Sequence, residues 1–312
     1  MKIITIPFLI LIISFTNAYS QSEKIVTLKT ATGDLEGTLI TPDQNASGAV
    51  SLIIAGSGPT DRNGNNPAMM NNSLKMLAEE LSKKGIGSLR YDKRGIGKSS
   101  KAGLSETDLR FENYIDDAKA WISYLGKESK FNSIIVIGHS EGSLIGMIAS
   151  QGKGVTKFIS VAGAGQSADK IIREQVKSQP PSISIRCNSI MDELVKGNMV
   201  ENIPAELNAL FRKSVQPYVI SWFKYDPQKE IAKLKIPVLI VQGTTDIQVS
   251  TDDANRLAKA NTRSKLAFIK GMNHILKPAP ADRQMNLETY TQPDLAIKKE
   301  LIDTAVKFIL SK

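Results

Sequence analysis

Mostly apolar runs recur along the chain, and runs of this kind are typical of strands that are buried on both faces. They comprise residues 50–55, 87–91, 134–137, 158–162, 238–241 and 266–269. Between and after them lie stretches with the 3.6-residue period of an amphipathic helix, notably 73–84, 114–127, 252–260 and 293–310. This alternation predicts an α/β protein with a mainly parallel sheet and helices on both of its faces.

The start of the chain follows a different pattern, because apolar and polar residues alternate over 23–29 and 35–40. The turn-forming residues Thr32, Gly33 and Asp34 separate these two segments. Alternation on both sides of a short turn predicts a β-hairpin with one exposed face. We expect this hairpin to form the antiparallel N-terminal edge of the sheet.

The interval 165–234 breaks the alternation of strands and helices. It contains no convincing strand, only helical patches at 168–177, 189–196, 205–213 and 219–224. At roughly 70 residues it is far longer than an ordinary connection. A chain of 312 residues, 41% of them hydrophobic, is long enough for one large domain with an insertion. We predict a core of residues 21–164 and 235–312, with 165–234 as a helical cap over the carboxyl ends of the strands.

The first 20 residues have the pattern of a secretory signal peptide. A basic residue, Lys2, precedes an apolar run over 3–13, and small residues at Ala18 and Ser20 suit cleavage. The run is shorter than the ~20 apolar residues that a membrane-spanning helix needs, so we expect no stable membrane span. Residues 1–20 are thus predicted to be removed and the mature protein to be exported, either periplasmic or secreted. A retained signal anchor is the alternative.

The net charge of +9 does not by itself indicate a nucleic-acid partner, because basic residues are spread among acidic ones without dense blocks and interleaved aromatics. The single cysteine, Cys187, excludes an internal disulfide and is expected to pack in the core. Two separated histidines and one cysteine cannot form a zinc site, although carboxylates alone can hold a harder cation. No cofactor motif is present. We therefore expect a small-molecule substrate and neither a metal nor a cofactor.

One pentapeptide, Gly138-His139-Ser140-Glu141-Gly142, lies between a predicted strand and a predicted helix. A strand, a sharp turn with a central serine and a helix together form the nucleophile elbow of serine hydrolases. The turn holds the serine in a strained conformation that exposes its Oγ. Side chains two residues before and after the serine would collide with neighbouring elements, which explains the glycines. Ser140 is therefore the candidate nucleophile.

A serine hydroxyl is a poor nucleophile until a base takes its proton, and the chain has two histidines to serve as that base. His139 adjoins Ser140, and the sharp turn sends neighbouring side chains in different directions. We therefore interpret it as a packed elbow residue. His274 lies in a loop just after the predicted strand 266–269. It is the candidate base, with an ordinary surface-loop histidine as the alternative.

With these motifs the chain resembles the α/β-hydrolase superfamily, and within it exported esterases similar to serine-aminopeptidase-like hydrolases. The resemblance extends from Ile25 to the C-terminus and includes the loop 56–62, Gly-Ser-Gly-Pro-Thr-Asp-Arg. It implies an α/β-hydrolase fold and the catalytic order nucleophile, acid, histidine. The acid is then Asp246, just past the predicted strand 238–241, where a carboxylate would fix the tautomer of the imidazole.

Nearby aspartates have structural interpretations instead. Asp252 and Asp253 follow a serine and a threonine and are expected to cap a helix. Asp226 precedes a proline and is expected to lie in a turn. A plain loop aspartate remains the alternative for Asp246.

Negative charge develops on the substrate carbonyl oxygen during attack, and two backbone N–H groups usually stabilise it. We predict that Glu141, at the start of the helix after the elbow, supplies one of them. Ser57, in the loop after the strand 50–55, is predicted to supply the second, with Gly58 as the alternative. Pro59 is excluded because it lacks an N–H.

Charged residues are expected to stiffen this site. Asp92 and Arg94 follow the strand 87–91 and are interpreted as structural ion partners at the floor of the site. The carboxylate of Glu141 needs a cationic partner, for which Arg62 or Arg94 is expected.

These residues favour hydrolysis of carboxylic esters through an acyl-enzyme intermediate, with Ser140 as nucleophile and His274 as base. A peptidase or amidase with the same residues is the first alternative. An acyltransferase is a further one, if the cap excludes water. A non-catalytic binding protein on the same scaffold is the alternative from a different class, because a fold does not determine a function.

Overall fold

The computed structural model describes residues 21–42, 46–177 and 179–311. The predicted signal peptide, residues 1–20, lies outside them and stays a prediction. Within the described ranges, every helix is too short or too polar to cross a membrane.

The described residues form one eight-stranded sheet in the order β1-β2-β4-β3-β5-β6-β7-β8. The strands are β1 (Gln21–Thr30), β2 (Gly33–Pro42), β3 (Ala49–Ile54), β4 (Gly87–Tyr91), β5 (Ser133–His139), β6 (Lys157–Val161), β7 (Val238–Gly243) and β8 (Lys265–Ile269). β1 and β2 form the predicted antiparallel hairpin, and β2 also runs antiparallel to β4. All other neighbours are parallel. The predicted sheet architecture is confirmed.

The α-helices assigned in the described residues are α1 (Ser73–Ser82), α2 (Phe111–Leu125), α3 (Glu141–Ala149), α4 (Ala168–Val176), α5 (Pro181–Val195), α6 (Asn208–Phe211), α7 (Gln216–Phe223), α8 (Pro227–Ala232), α9 (Thr251–Ala260), α10 (Arg283–Glu288) and α11 (Lys299–Leu310). Because side chains alternate along a strand, each strand contributes to both faces of the sheet. Leu52 packs in a cluster with residues of α2 and α3, whereas Ile53 packs with residues of α1 and α11. Helices therefore cover both faces.

One strand differs from its predicted environment. The run 266–269 was expected to be buried on both faces, but β8 is the last strand of the sheet, and the Phe268 residue is 44% exposed. An apolar run alone does not distinguish a central strand from an edge strand, so this part of the prediction was wrong.

The interval between β6 and β7 contains α4 to α8 and no strand within its described residues. α7 contacts the elbow, because the Tyr218 hydroxyl donates to Glu141. α8 instead lies beside the core, where Asn261 Nδ2 donates to the Ile231 carbonyl at 2.9 Å. Cys187 is buried in α5, as its predicted packing role requires. The division into core and cap remains a prediction.

Candidate active site

Ser140 occupies a strained turn between β5 and α3. Its backbone has φ 54° and ψ −122°, a conformation that costs a non-glycine residue about 1–3 kcal/mol. The turn is held in place because the Ser140 N–H donates to the Val161 carbonyl at 3.0 Å, and the Ser143 N–H donates to the Ser140 carbonyl at 2.9 Å. The sequence thus places one serine at the sharp junction where β5 ends and α3 begins.

Both glycines of the elbow are required by close backbone contacts. A Cβ added at Gly138 would lie 2.3 Å from the Gly142 carbonyl oxygen, and one added at Gly142 would lie 2.3 Å from the Ile54 carbonyl oxygen. The chain after β3 is also close, since a Cβ at Gly56 would lie 3.1 Å from Ser140 Cβ. Small residues therefore bring the loop 56–62, here called the oxyanion loop, against the serine.

His274 and Asp246 form a buried pair. His274 Nδ1 lies 2.9 Å from Asp246 Oδ2, and the Asp246 side chain has no exposed surface. The other carboxylate oxygen, Oδ1, accepts the N–H groups of Gln248 at 2.8 Å and Val249 at 3.0 Å. Burial acts to raise the pKa of Asp246, but the attraction of His274 and these hydrogen bonds outweigh it, so the pKa lies below its ordinary value. An ionised Asp246 only accepts hydrogen bonds, so Nδ1 carries the proton and Nε2 is free to act as a base.

His139 packs behind His274. The two ring centroids are 4.9 Å apart, and His139 Nε2 lies 2.8 Å from the His274 carbonyl oxygen. Burial, together with repulsion from a charged His274, lowers the pKa of His139 to about 4. His139 is thus neutral near pH 7, and its Nε2–H donates to the His274 backbone. The interpretation as a packed elbow residue agrees with this geometry, but the contact with His274 was not foreseen.

Ser57, Ser140, Glu141 and His274 line one cavity of about 850 Å³. Asp246 lies behind His274 and does not line it. The larger apolar side chains that face this space include Leu109, Leu144, Ile171, Val215, Val219 and Trp222. The structure therefore brings the predicted serine and imidazole to one largely apolar cavity, with the predicted carboxylate bonded to the far side of the imidazole.

The ionic partner predicted for Glu141 was wrong. Instead of Arg62 or Arg94, Glu141 Oε2 accepts from Lys93 Nζ at 2.9 Å, and Glu141 Oε1 accepts from the Tyr218 hydroxyl at 2.5 Å. The two arginines are engaged elsewhere by other acids, which leaves Lys93 as the cation beside the elbow. Lys93 lies between Asp92 and Arg94, and its position in the sequence does not show that its side chain points to Glu141.

Asp92 and Arg94 are both in buried ion pairs, although not with each other. Asp92 accepts from the Arg62 backbone N–H at 2.8 Å and from its guanidinium at 2.9 Å. Arg94 Nε donates to Asp117 of α2 at 2.8 Å. Asp92 therefore anchors the end of the oxyanion loop, whereas Arg94 ties the floor of the site to α2.

Asp253 caps a helix as predicted, whereas Asp226, which was expected in a turn, is instead the N-cap of a helix. Asp253 accepts from the backbone N–H and the hydroxyl of Ser250 in a capping box at the start of α9. Asp226 caps α8 by accepting from the Gln228 N–H at 3.0 Å. His274 Nδ1 donates to neither of them, so Asp246 is its carboxylate partner.

Known proteins with the same architecture include esterases. Esterase EstD of Thermotoga maritima is 23% identical over 276 residues, which cover 84% of this chain and 62% of EstD. This chain thus spans less than two thirds of the length of that relative. AB hydrolase superfamily protein YisY of Bacillus subtilis is 25% identical over 218 residues, 62% of this chain and 77% of YisY. The structure of Est1E from Butyrivibrio proteoclasticus with bound ferulic acid has a TM-score of 0.63 at 20% identity, covering 92% of this chain and all of that one.

These likenesses, together with the sheet order and the elbow, confirm the α/β-hydrolase fold. Residues 70–227, just over half of the chain, match the family described as serine aminopeptidase, S33. The chain belongs to this family of hydrolytic enzymes.

Proposed function

We propose that the protein hydrolyses carboxylic esters through a covalent acyl-enzyme. The observation that carries this proposal is the buried pair of His274 and Asp246, whose imidazole faces the same cavity as a serine on a strained elbow. The relative named as an esterase and the esterase structures of the same fold support it.

In this mechanism Ser140 Oγ attacks the ester carbonyl carbon while its proton passes to His274 Nε2. The ionised Asp246 stabilises the imidazolium that forms. The C–O bond to the alcohol then breaks as His274 returns the proton to the leaving oxygen. Water attacks the acyl-enzyme with His274 again as base, which releases the acid and regenerates the serine.

The carbonyl oxygen would be stabilised by the backbone N–H groups of Glu141 and Ser57. Glu141 is the first residue of α3, so its N–H has no acceptor within the helix and lies at the positive end of the helix dipole. Ser57 lines the cavity in the oxyanion loop. Gly58 also lines it and remains the alternative donor.

The cavity favours esters over aminoacyl amides. An aminopeptidase binds the ammonium group of its substrate, for which a carboxylate is the natural partner. Among the described residues that line the cavity, the acids are Glu106 and Glu141. Glu106 is bonded to Arg212 and Ser214, and Glu141 is bonded to Lys93 and Tyr218. Both carboxylates therefore already have partners, whereas the apolar lining suits an uncharged acyl or alcohol group.

The test is turnover of short p-nitrophenyl esters by the wild type and by Ser140→Ala. We expect kcat/KM to fall by at least about 10⁴-fold, because the covalent step is lost. Ser143→Ala is the matched control, since its hydroxyl is buried and bonded to Ser160 at 2.7 Å. Retention of most activity by folded Ser140→Ala would refute the mechanism. Wild-type cleavage of aminoacyl p-nitroanilides in preference to the esters would instead favour the peptidase alternative.

A further inference from the structure

A buried cation lies where the elbow, the oxyanion loop and α7 meet. Lys93 Nζ donates to the Gly56 carbonyl at 2.6 Å and to Glu141 Oε2 at 2.9 Å. It also lies 4.8 Å from the centre of the Tyr114 ring. The side chains of Lys93 and Glu141 are 1% and 2% exposed, and Tyr218 bonds the second oxygen of Glu141. Every polar contact of the ammonium group is therefore directed at a residue beside Ser140.

Stability alone does not account for this cluster. Removing two charges from water is costly, and apolar residues that fill the same volume often stabilise a protein as well or better. The contacts of Lys93 are instead with the two segments that are proposed to supply the oxyanion donors. This choice of partners points to a role in the reaction.

The bond to Gly56 fixes the direction of a proposed donor. The Gly56 carbonyl and the Ser57 N–H belong to one planar trans peptide unit, so they point in opposite directions. With its carbonyl held by Lys93 on one side, this peptide presents the Ser57 N–H on the other. Asp92, the residue before Lys93, holds the far end of the same loop through its bonds to Arg62. Two consecutive residues after β4 thus anchor both ends of the oxyanion loop.

The bond to Glu141 acts on the other donor. Glu141 carries its carboxylate on the same residue whose N–H would bind the developing oxyanion. An unpaired negative charge there would oppose the charge that forms on the substrate. Lys93 places a positive charge against this carboxylate, and the Tyr218 hydroxyl donates to its other oxygen.

We propose that Lys93 is a positioning residue for the oxyanion hole. Its ammonium group orients the Gly56–Ser57 peptide and offsets the charge of Glu141. This inference rests on the proposed ester hydrolysis. It adds a residue that acts through its hydrogen bonds to Gly56 and Glu141, the residues on which both proposed oxyanion donors depend.

The experiment compares Lys93→Met with the wild type on p-nitrophenyl esters. Oxyanion contacts strengthen in the transition state, so their loss lowers kcat more than it changes KM. We expect kcat to fall about 100-fold, the scale of losing one oxyanion donor, with KM within about threefold of the wild-type value. The inhibition constant of a trifluoromethyl ketone, which forms a tetrahedral adduct with the serine, should rise in parallel with the loss of kcat.

Lys93→Met leaves Glu141 buried without its cation and is at risk of misfolding, so Lys93→Met/Glu141→Gln is measured beside it. This double variant buries no unpaired charge, and its glutamine still accepts from Tyr218. A folded double variant with low kcat supports positioning through Gly56. Recovery of wild-type kcat in the double variant would overturn positioning through Gly56 and reduce the role of Lys93 to offsetting the charge of Glu141. Wild-type kcat in folded Lys93→Met would overturn both roles.

Asp253→Asn is the matched control for loss of a buried ion pair. It disrupts the pair in which Asp253 Oδ1 accepts from Arg256 Nη1 at 3.3 Å, and neither residue lines the cavity. We expect it to lose stability while kcat stays within about threefold of the wild type. If Ser140→Ala is inactive and Lys93→Met is fully active, the inference about Lys93 fails while the proposed function stands.

Discussion

The two histidines differ in the group that each ring faces. His139 is buried, and the nearest polar atom to its Nε2 is a backbone carbonyl, which can accept a hydrogen bond but offers no negative charge. His274 instead faces the carboxylate of Asp246. A histidine beside a carboxylate can hold a proton during the reaction, whereas the pKa of His139, about 4, keeps that ring neutral.

The neutral His139 predicts an acid sensitivity that one substitution should reduce. In the unfolded chain His139 takes up a proton as the pH falls below about 6.5, but in the folded protein it does so only near pH 4. Between these values the unfolded state binds more protons, so stability falls as the pH falls, by about 3 kcal/mol in total. His139→Gln keeps an N–H for the His274 carbonyl and does not titrate.

Urea unfolding at pH 7, 6, 5 and 4 measures this difference. From pH 7 to pH 4 the wild type should lose about 3 kcal/mol more of its free energy of unfolding than His139→Gln loses. The comparison cancels the carboxylates, which titrate in both proteins. If the free energy of unfolding falls with pH by the same amount in the two proteins, burial of His139 does not cause the acid sensitivity.

The sequence led to a single candidate residue where few residues of the required type existed. Two histidines and one serine in an elbow left little choice, so Ser140 and His274 were assigned from the chain alone. The partner of Glu141 was missed because several basic residues follow β4, and the sequence does not show toward which side each points. Consecutive side chains diverge there, which sends Asp92 to Arg62 and Lys93 to Glu141.

At the scale of elements, the elbow depends on the absence of side chains at its two glycines. Of the two glycines, Gly142 is the one restricted by a neighbouring strand. A Cβ there would lie 2.3 Å from the Ile54 carbonyl oxygen and 2.6 Å from that of Ala55. Both atoms belong to the backbone at the end of β3. They cannot move aside without shifting the strand or the helix.

Gly142→Ala should therefore destabilise the protein and impair the site together. We expect a loss of about 2 kcal/mol or more, since overpacking a close contact typically costs 1–3 kcal/mol. We also expect lower kcat/KM, because α3 carries Glu141 and follows Ser140 directly. Urea unfolding and ester turnover measure the two effects.

Gly152→Ala provides the control, because the nearest atom to a Cβ there is the Ala149 carbonyl oxygen at 4.0 Å. That substitution should change stability by no more than about 0.5 kcal/mol. Equal stability and activity of Gly142→Ala and Gly152→Ala would contradict the account of the elbow.

Most strands and the hairpin could be predicted, because apolar runs and alternation are local signals. Helix starts were less predictable. The patch 189–196 corresponds to the end of α5, which begins at Pro181 rather than after the two prolines. Proline is tolerated in the first helical turn, where its missing N–H leaves no bond unmade, so it marked a start rather than a break. The order of the strands in the sheet has no local sequence signal and is seen only in the structure.

At the scale of the whole molecule, the predicted cap shares its core with the sheet. One continuous cluster joins Cys187, Phe211 and Val219 of the interval 165–234 to residues of β3, such as Leu52. Phe111 of α2 stacks on Trp222 of α7 with ring centroids 6.0 Å apart. Without a separate core of its own, the interval 165–234 should unfold together with the rest of the chain.

The two tryptophans of the chain allow a direct measurement of this cooperativity. Trp121 is buried in α2 against Tyr91, whereas Trp222 belongs to α7 in the predicted cap. Trp121→Phe leaves a fluorescent probe in the cap alone, and Trp222→Phe leaves one in the core alone. In each variant, we expect the unfolding transition in urea followed by fluorescence to coincide with the transition followed by far-ultraviolet circular dichroism.

Each variant is its own reference in this comparison, so a stability change caused by the substitution does not affect the result. A fluorescence midpoint in Trp121→Phe that lies well below the circular dichroism midpoint would show instead that the cap unfolds before the sheet.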